Sequence, residues 1–122
     1  MIREIEKPKI DFKFWIDPSF KFYYDKENGE YFIETEHGSK FYFNLKGNLH
    51  RIGKPAFESY NGEKRWRENG KVHRLDGPSY VSYSYKFYFI NDKYYSEKEF
   101  TKETKHLVCG NCGSFCKQEC FI

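Results

Sequence analysis

One stretch of this chain is written twice. Gly47-Asn48-Leu49-His50-Arg51-Ile52-Gly53-Lys54-Pro55-Ala56 returns 23 residues later as Gly70-Lys71-Val72-His73-Arg74-Leu75-Asp76-Gly77-Pro78-Ser79. An aromatic residue, Phe43 or Trp66, stands four residues before each glycine. A third, partial copy comes one residue early: Tyr88-Phe89-Ile90-Asn91-Asp92-Lys93 answers Trp66-Arg67-Glu68-Asn69-Gly70-Lys71 and lacks the His-Arg half. A terminal copy that drops part of the pattern is what a capping repeat looks like. A period of 23 residues is too short for a helix pair and suits one β-hairpin. The expected fold class is therefore all-β: an antiparallel β-hairpin repeat meander with a short C-terminal helix and a Cys-rich tail.

Local signals divide the chain into an N-terminal β cap over 1–37, hairpin repeats over 38–100, and a helix end with the tail over 101–122. Phe12–Ile16, Phe20–Tyr24 and Tyr31–Thr35 are strand candidates in the cap, with a Glu27-Asn28-Gly29-Glu30 turn between the last two. In the repeats, Lys40–Asn44, Glu63–Arg67 and Tyr85–Ile90 mix rings with polar residues, as strands with one wet face do. Asn69-Gly70 marks a tight turn and Asp76-Gly77-Pro78 a second. Ser79–Tyr85 alternates by two, which places Tyr and Val on different faces. Ser96-Glu97-Lys98-Glu99 is a capping box and predicts a helix from about Glu97 to about His106, with Phe100 and Leu107 folding back on the sheet.

The core of such a chain must be built from rings, because 26 residues are Phe, Tyr or Trp while Leu, Ile and Val total 15 and Ala56 is the sole alanine. That aromatic content argues against disorder despite a mean hydropathy of −0.90. A net charge of +3 is too balanced to imply nucleic-acid or membrane binding by itself. No apolar run approaches a signal peptide or a membrane span, and Cys120, third from the end, does not fit the prenylation pattern. The expectation is a protein without a cleaved secretion signal and with no membrane partner.

The aromatic, Gly and His at this period resemble the MORN type of repeat, although Trp66 and Gly70 are one residue further apart and Arg74 stands where that family has Gly. Residues 66–79 more closely resemble a MORN-like variant of phage and giant-virus proteins, Trp-x-x-Asn-Gly-Lys-x-His-Arg-x-Asp-Gly-Pro-Ala. Arrays of that variant often end as Asn91–Phe100 does, with Asn-Gly-Lys and then Ser/Thr-Glu-x-Glu-Phe. The resemblance covers roughly 38–100, and the first copy departs from it at Gly53-Lys54. It implies a hairpin array used for association, in the host cytoplasm or the virion, and no reaction.

His50 and His73 could be bases, and Arg51 and Arg74 could hold an anion or a nucleotide. One such pair per repeat at a fixed place is better read as structural. The imidazole would sit beneath the next turn, and Arg74 would pair with Asp76 or lie on a ring. No nucleophile, phosphate loop or recurring carboxylate pair accompanies them, so an enzyme is not expected. The leading expectation is a non-enzymatic viral or phage protein-interaction module, a virion component or an inhibitor of a host protein, binding through rings among Tyr60, Trp66, Tyr80, Tyr83 and Tyr88 with Arg51 and Arg74. A homodimer through edge strands is an additional option. The alternatives are a zinc-stapled nucleic-acid binder in which repeat Lys and Arg share a surface with Lys105 and Lys117, and a nucleotide-sequestering protein that uses the repeated His-Arg pairs. The tail supplies Cys109, Cys112, Cys116 and Cys120, with His106 three residues upstream. Four thiolates suit a structural zinc. Two disulfides or free thiols remain open.

Overall fold

A computed structural model describes residues 1–105. The fold follows from where the chain can reverse. Asn69 and Gly70 both have positive φ, 51° and 84°, and so do Asn91 and Asp92, at 48° and 68°. Two consecutive left-handed residues make the turn whose twist matches a two-residue hairpin. These two reversals join β7 (Arg67–Glu68) to β8 (Lys71–Val72), and β10 (Lys86–Ile90) to β11 (Lys93–Tyr95).

The other strands are β1 (Ile2–Ile5), β2 (Lys21–Asp25), β3 (Glu30–Glu34), β4 (Lys40–Phe43), β5 (Phe57–Glu58), β6 (Lys64–Arg65) and β9 (Tyr80–Val81). All of them except β7 and β8 form one nine-stranded antiparallel sheet in the order β1-β2-β3-β4-β5-β6-β9-β10-β11. Each strand neighbours the next in sequence, save where the β7–β8 hairpin is set aside. One helix, α1 (Glu97–Thr104), follows the last strand. Its capping box is complete: Ser96 Oγ accepts from the Glu99 amide at 3.1 Å, and Glu99 Oε1 accepts from the Ser96 amide at 2.9 Å. Phe100 folds back so that its ring lies 4.7 Å from that of Tyr88. Leu107 and the four cysteines lie outside the described residues.

Period-two alternation splits the sheet into two faces. Following the register, Phe22, Ile33, Phe41, Phe57, Arg65, Tyr80 and Phe87 fall on one face, here the front. The back carries Phe32, Tyr42 and a cross-strand row of Glu34, Lys40, Glu58, Lys64, Val81 and Lys86. The core sits on the front of the first four strands, where Phe22, Ile33 and Phe43 are buried. Phe12 packs edge-on against Phe43 at 5.2 Å and tilted against Phe22 at 5.7 Å. Such ring pairs contribute about 0.5–1.5 kcal/mol beyond the area they bury.

Several local expectations are corrected. Phe12–Ile16 is not a strand: it lies on the front of the sheet, with Phe12, Phe14 and Ile16 inward and Trp15 outward, 73% exposed. Its alternation is satisfied by packing on a sheet rather than pairing within one. Ile2–Ile5 supplies the strand instead, against β2. The Glu63–Arg67 run breaks at Trp66, because Arg67 leaves the large sheet to begin the β7–β8 hairpin. In Ser79–Tyr85 only Tyr80–Val81 is paired; the Ser82 amide donates to the Tyr85 carbonyl and the chain reverses there. The partner of Trp66 in the first copy is Tyr42, not Phe43. The Tyr42 amide donates to Ala56 and the Trp66 amide to Ser79, while His50 and His73 donate back to the Tyr42 and Trp66 carbonyls. The first copy absorbs its extra residue in a longer turn, with the Asn44 amide on the Asn48 carbonyl and Gly47 at φ 88°.

Gly47 is where the front segment is fastened: its carbonyl accepts from the Lys13 amide at 2.8 Å. A Cβ at Gly47 would stand 2.0 Å from the Asp11 carbonyl oxygen, and the residue has a positive φ besides. Gly62 has a similar φ of +94° but open space around it. We expect Gly62→Ala to cost only the backbone strain, about 1–2 kcal/mol. Gly47→Ala should cost clearly more and release Phe12 and Phe14 from the core. Urea unfolding of the two variants, with Trp15 fluorescence as a local reporter, checks this.

Candidate functional site

The duplicated residues make the same contacts twice. At the first junction the Arg51 amide donates to the Arg67 carbonyl (3.0 Å), the Asn69 amide to His50 Nδ1 (2.9 Å) and the Gly70 amide to the Leu49 carbonyl (2.8 Å). At the second, the Arg74 amide donates to Phe89 (3.2 Å), the Asn91 amide to His73 Nδ1 (3.1 Å) and the Asp92 amide to Val72 (2.9 Å). Each imidazole thus holds the turn of the following copy. A nitrogen that accepts from an amide carries no proton, so both rings present Nδ1 as the bare nitrogen.

The arginines repeat as well. The Arg51 guanidinium lies 3.7 Å from the centre of the Tyr42 ring and that of Arg74 3.9 Å from Trp66. Their Nη1 atoms donate to the Pro55 and Pro78 carbonyls. Arg51 also pairs with Glu30 (3.0 Å) and Glu58 (3.2 Å), and Arg74 with Asp76 (2.8 Å). The Arg51 side chain is only 9% exposed. Burial raises the Tyr42 hydroxyl above its ordinary range, against the opposing pull of Arg51. In the third copy, Ser96 stands where Arg74 stands in the second, and α1 begins there, so Phe100 covers Tyr88 in place of a guanidinium.

On the front, the aromatic row continues past the core. Phe57 meets Phe41 at 4.7 Å, the Arg65 guanidinium lies 5.2 Å from Phe57 and 4.6 Å from Tyr80, and Phe87 meets Tyr80 at 5.9 Å. Tyr85 and Tyr94 flank Phe87 at 5.2 and 6.3 Å. The front segment covers the first half of this row. The second half is open, with Tyr85 45%, Phe87 39% and Tyr94 57% exposed. Between the halves, Tyr80 donates its hydroxyl proton to Glu63, and Arg65 donates to both at 3.0 and 3.2 Å. The Tyr80 bond holds the Glu63 carboxyl below its usual range, and Glu63 pushes the Tyr80 hydroxyl up to about 12.

The residues singled out from sequence therefore separate. Tyr80 belongs to the open row. Trp66 and Tyr88 are half-buried and belong to the back, under Arg74 and Phe100. Tyr83 is fully exposed at the tip of its turn, and Tyr60 lies elsewhere, beside His37 at 5.6 Å. Arg51 and Arg74 are engaged with rings, carboxylates and carbonyls. Tyr85, Phe87 and Tyr94 were not singled out; the spacing of Tyr85 and Phe87 was visible, but the register that sets Tyr94 beside them was not. Among the described residues no three His, Cys, Asp or Glu side chains gather as metal ligands. The cysteine set lies outside those residues. No family model, curated protein or solved structure matches the chain.

Two outcomes follow. His73→Ala removes the acceptor of the Asn91 amide and should cost about 1 kcal/mol in urea unfolding, whereas His73→Asn, whose Oδ1 can replace Nδ1, should recover most of it. In an ultraviolet titration Tyr80 should ionise above the ordinary tyrosine range, and Glu63→Gln should bring it down. Tyr80 holds its proton more tightly folded than unfolded. Its contribution to stability is therefore complete below about pH 10 and lost as pH rises through about 12.

Proposed function

We propose that this chain is a non-enzymatic protein-interaction module that binds through the open half of the front row. One observation carries the reading: among the described residues, the row of rings is covered from Phe22 to Phe41 by the chain's own segment and left exposed at Tyr85, Phe87 and Tyr94. Exposed rings packed side by side are anchors for association, since Tyr and Phe bury much area with few rotatable bonds. The repeated geometry of the His-Arg pairs supports a structural rather than catalytic role, because each imidazole serves a different turn and each guanidinium is spent on a ring and an acceptor. The hairpin array and its sequence pattern favour a MORN-like repeat protein of phage or giant-virus kind, acting as a virion component or an inhibitor of a host protein.

The nucleic-acid reading has less behind it. The arginines nearest the rings are paired with carboxylates, and the back row alternates Glu34, Lys40, Glu58 and Lys64 across neighbouring strands. Opposite charges in register cancel the field a polyanion needs.

The test immobilises the wild-type chain and a Tyr85→Ser/Tyr94→Ser variant, both checked for unchanged melting, and compares what each retains from host extract. A protein held by the first and lost by the second is the expected result. Binding to single-stranded DNA or RNA that weakens steeply with salt, undisturbed by the variant, would establish the other class instead.

A further inference from the structure

The dipeptide Asn-Gly occurs three times, as Asn28-Gly29, Asn61-Gly62 and Asn69-Gly70. Independently of the interaction reading, we infer that the first is a site of covalent self-modification, at which Asn28 deamidates while the fold holds the other two back. In this reaction the Gly nitrogen attacks the side-chain carbonyl carbon of the Asn before it. The nitrogen loses its proton, a nitrogen–carbon bond forms and the side-chain amide bond breaks. Ammonia leaves, and a five-membered succinimide remains. Water then opens the ring. Cleavage of the new bond gives aspartate. Cleavage of the original peptide bond gives isoaspartate, with the backbone running through the side chain. Water is the one co-reactant, and nothing is oxidised or reduced. Glycine favours the closure because no Cβ obstructs the approach to its nitrogen.

What separates the three sites is whether the reacting atoms are tied. The Gly62 amide donates to the Ser59 carbonyl (3.0 Å), and Asn61 Oδ1 accepts from the Glu63 amide (3.3 Å). The Gly70 amide donates to the Leu49 carbonyl (2.8 Å), and Asn69 Oδ1 accepts from Asn44 Nδ2 (3.0 Å). An amide bonded to a carbonyl must break that bond before its nitrogen can attack, and a held oxygen keeps the side-chain carbonyl from turning to meet it. Neither restraint exists at the first site. Among the described residues nothing accepts from the Gly29 amide and nothing donates to Asn28 Oδ1. Both residues are exposed, and a Cβ at Gly29 would meet nothing within 4 Å, so water reaches the ring. The Asn28 side chain is held only through Nδ2, which donates to Asp25 Oδ2 (2.8 Å) and is the nitrogen that departs. Its departure has a local consequence. That bond is the chief reason the Asp25 carboxyl lies below its ordinary range. The product puts a carboxylate where the donor stood. In the isoaspartate form, the turn closing the Asp25–Glu30 pair also gains a backbone carbon.

The test incubates the intact protein in mildly alkaline buffer and follows its peptides by mass spectrometry. The peptide containing Asn28 should gain the mass difference between Asn and Asp, with isoaspartate among its products, at least tenfold faster than either other Asn-Gly peptide. In denaturant the three should react within a few-fold of one another, because the contacts that distinguish them are gone. Faster reaction at Asn61 or Asn69, equal rates in the folded protein, or the same ranking in denaturant would overturn the inference. So would an unreacted Asn28 in the folded protein over a period in which the denatured chain reacts fully. Asn28→Asp, followed by carbon-detected NMR, should move the Asp25 titration upward. An unmoved Asp25 would overturn the consequence drawn for the turn.

Discussion

A tight turn of left-handed residues points its amides away from its own hairpin, and something must accept them. In this chain the preceding copy does so. The imidazole of His50 or His73 takes the first turn amide and the carbonyl of Leu49 or Val72 takes the second. Asn69 and Asn91 can hold the left-handed conformation because their amides have a fixed partner. An isolated two-stranded hairpin is marginal in water. Here each is fastened to the one before, and the Arg side chain two residues after that accepting carbonyl closes over a ring on the back. The copies are thus links in a chain of dependence, ended at the far side by α1.

That arrangement leaves an asymmetry from which the functional reading grows. The back is closed along its length by Arg51 over Tyr42, Arg74 over Trp66 and Phe100 over Tyr88. Among the described residues the front is closed only over the first four strands, by the segment around Phe12 and Phe14. A molecule poor in aliphatic residues builds its core largely from rings, yet Tyr85, Phe87 and Tyr94 stand together outside it. Monomers rarely leave contiguous apolar surface open without use.

Much of the array was legible in the sequence. The repeat carried the hairpins, Asn69-Gly70 their turn, the His-Arg pairs their backbone role, and Ser96-Glu97-Lys98-Glu99 the helix. What was not legible depended on register and on surfaces far apart in the chain. Phe43 and Trp66 align by letter, but a longer turn at Gly47 shifts the first copy so that Tyr42 takes the place of Trp66. Phe12–Ile16 has a strand's alternation and a lid's position, and only tertiary packing distinguishes the two. Trp66 and Tyr80 both read as exposed rings, and one residue's difference in parity between β6 and its continuation sends Trp66 to the back. Tyr94 joined the front row only once β10 and β11 were paired.

The dependence of each copy on its predecessor is tested most directly by native-state amide hydrogen exchange. The amides of Asn69, Gly70, Asn91 and Asp92 belong to exposed-looking turns, and isolated turns of this kind exchange freely. If the preceding copy holds them, they should exchange only when the sheet opens, with a free energy near that of the Ile33 amide in the core. Fast, independent exchange at Asn91 and Asp92 while Ile33 stays protected would contradict the account.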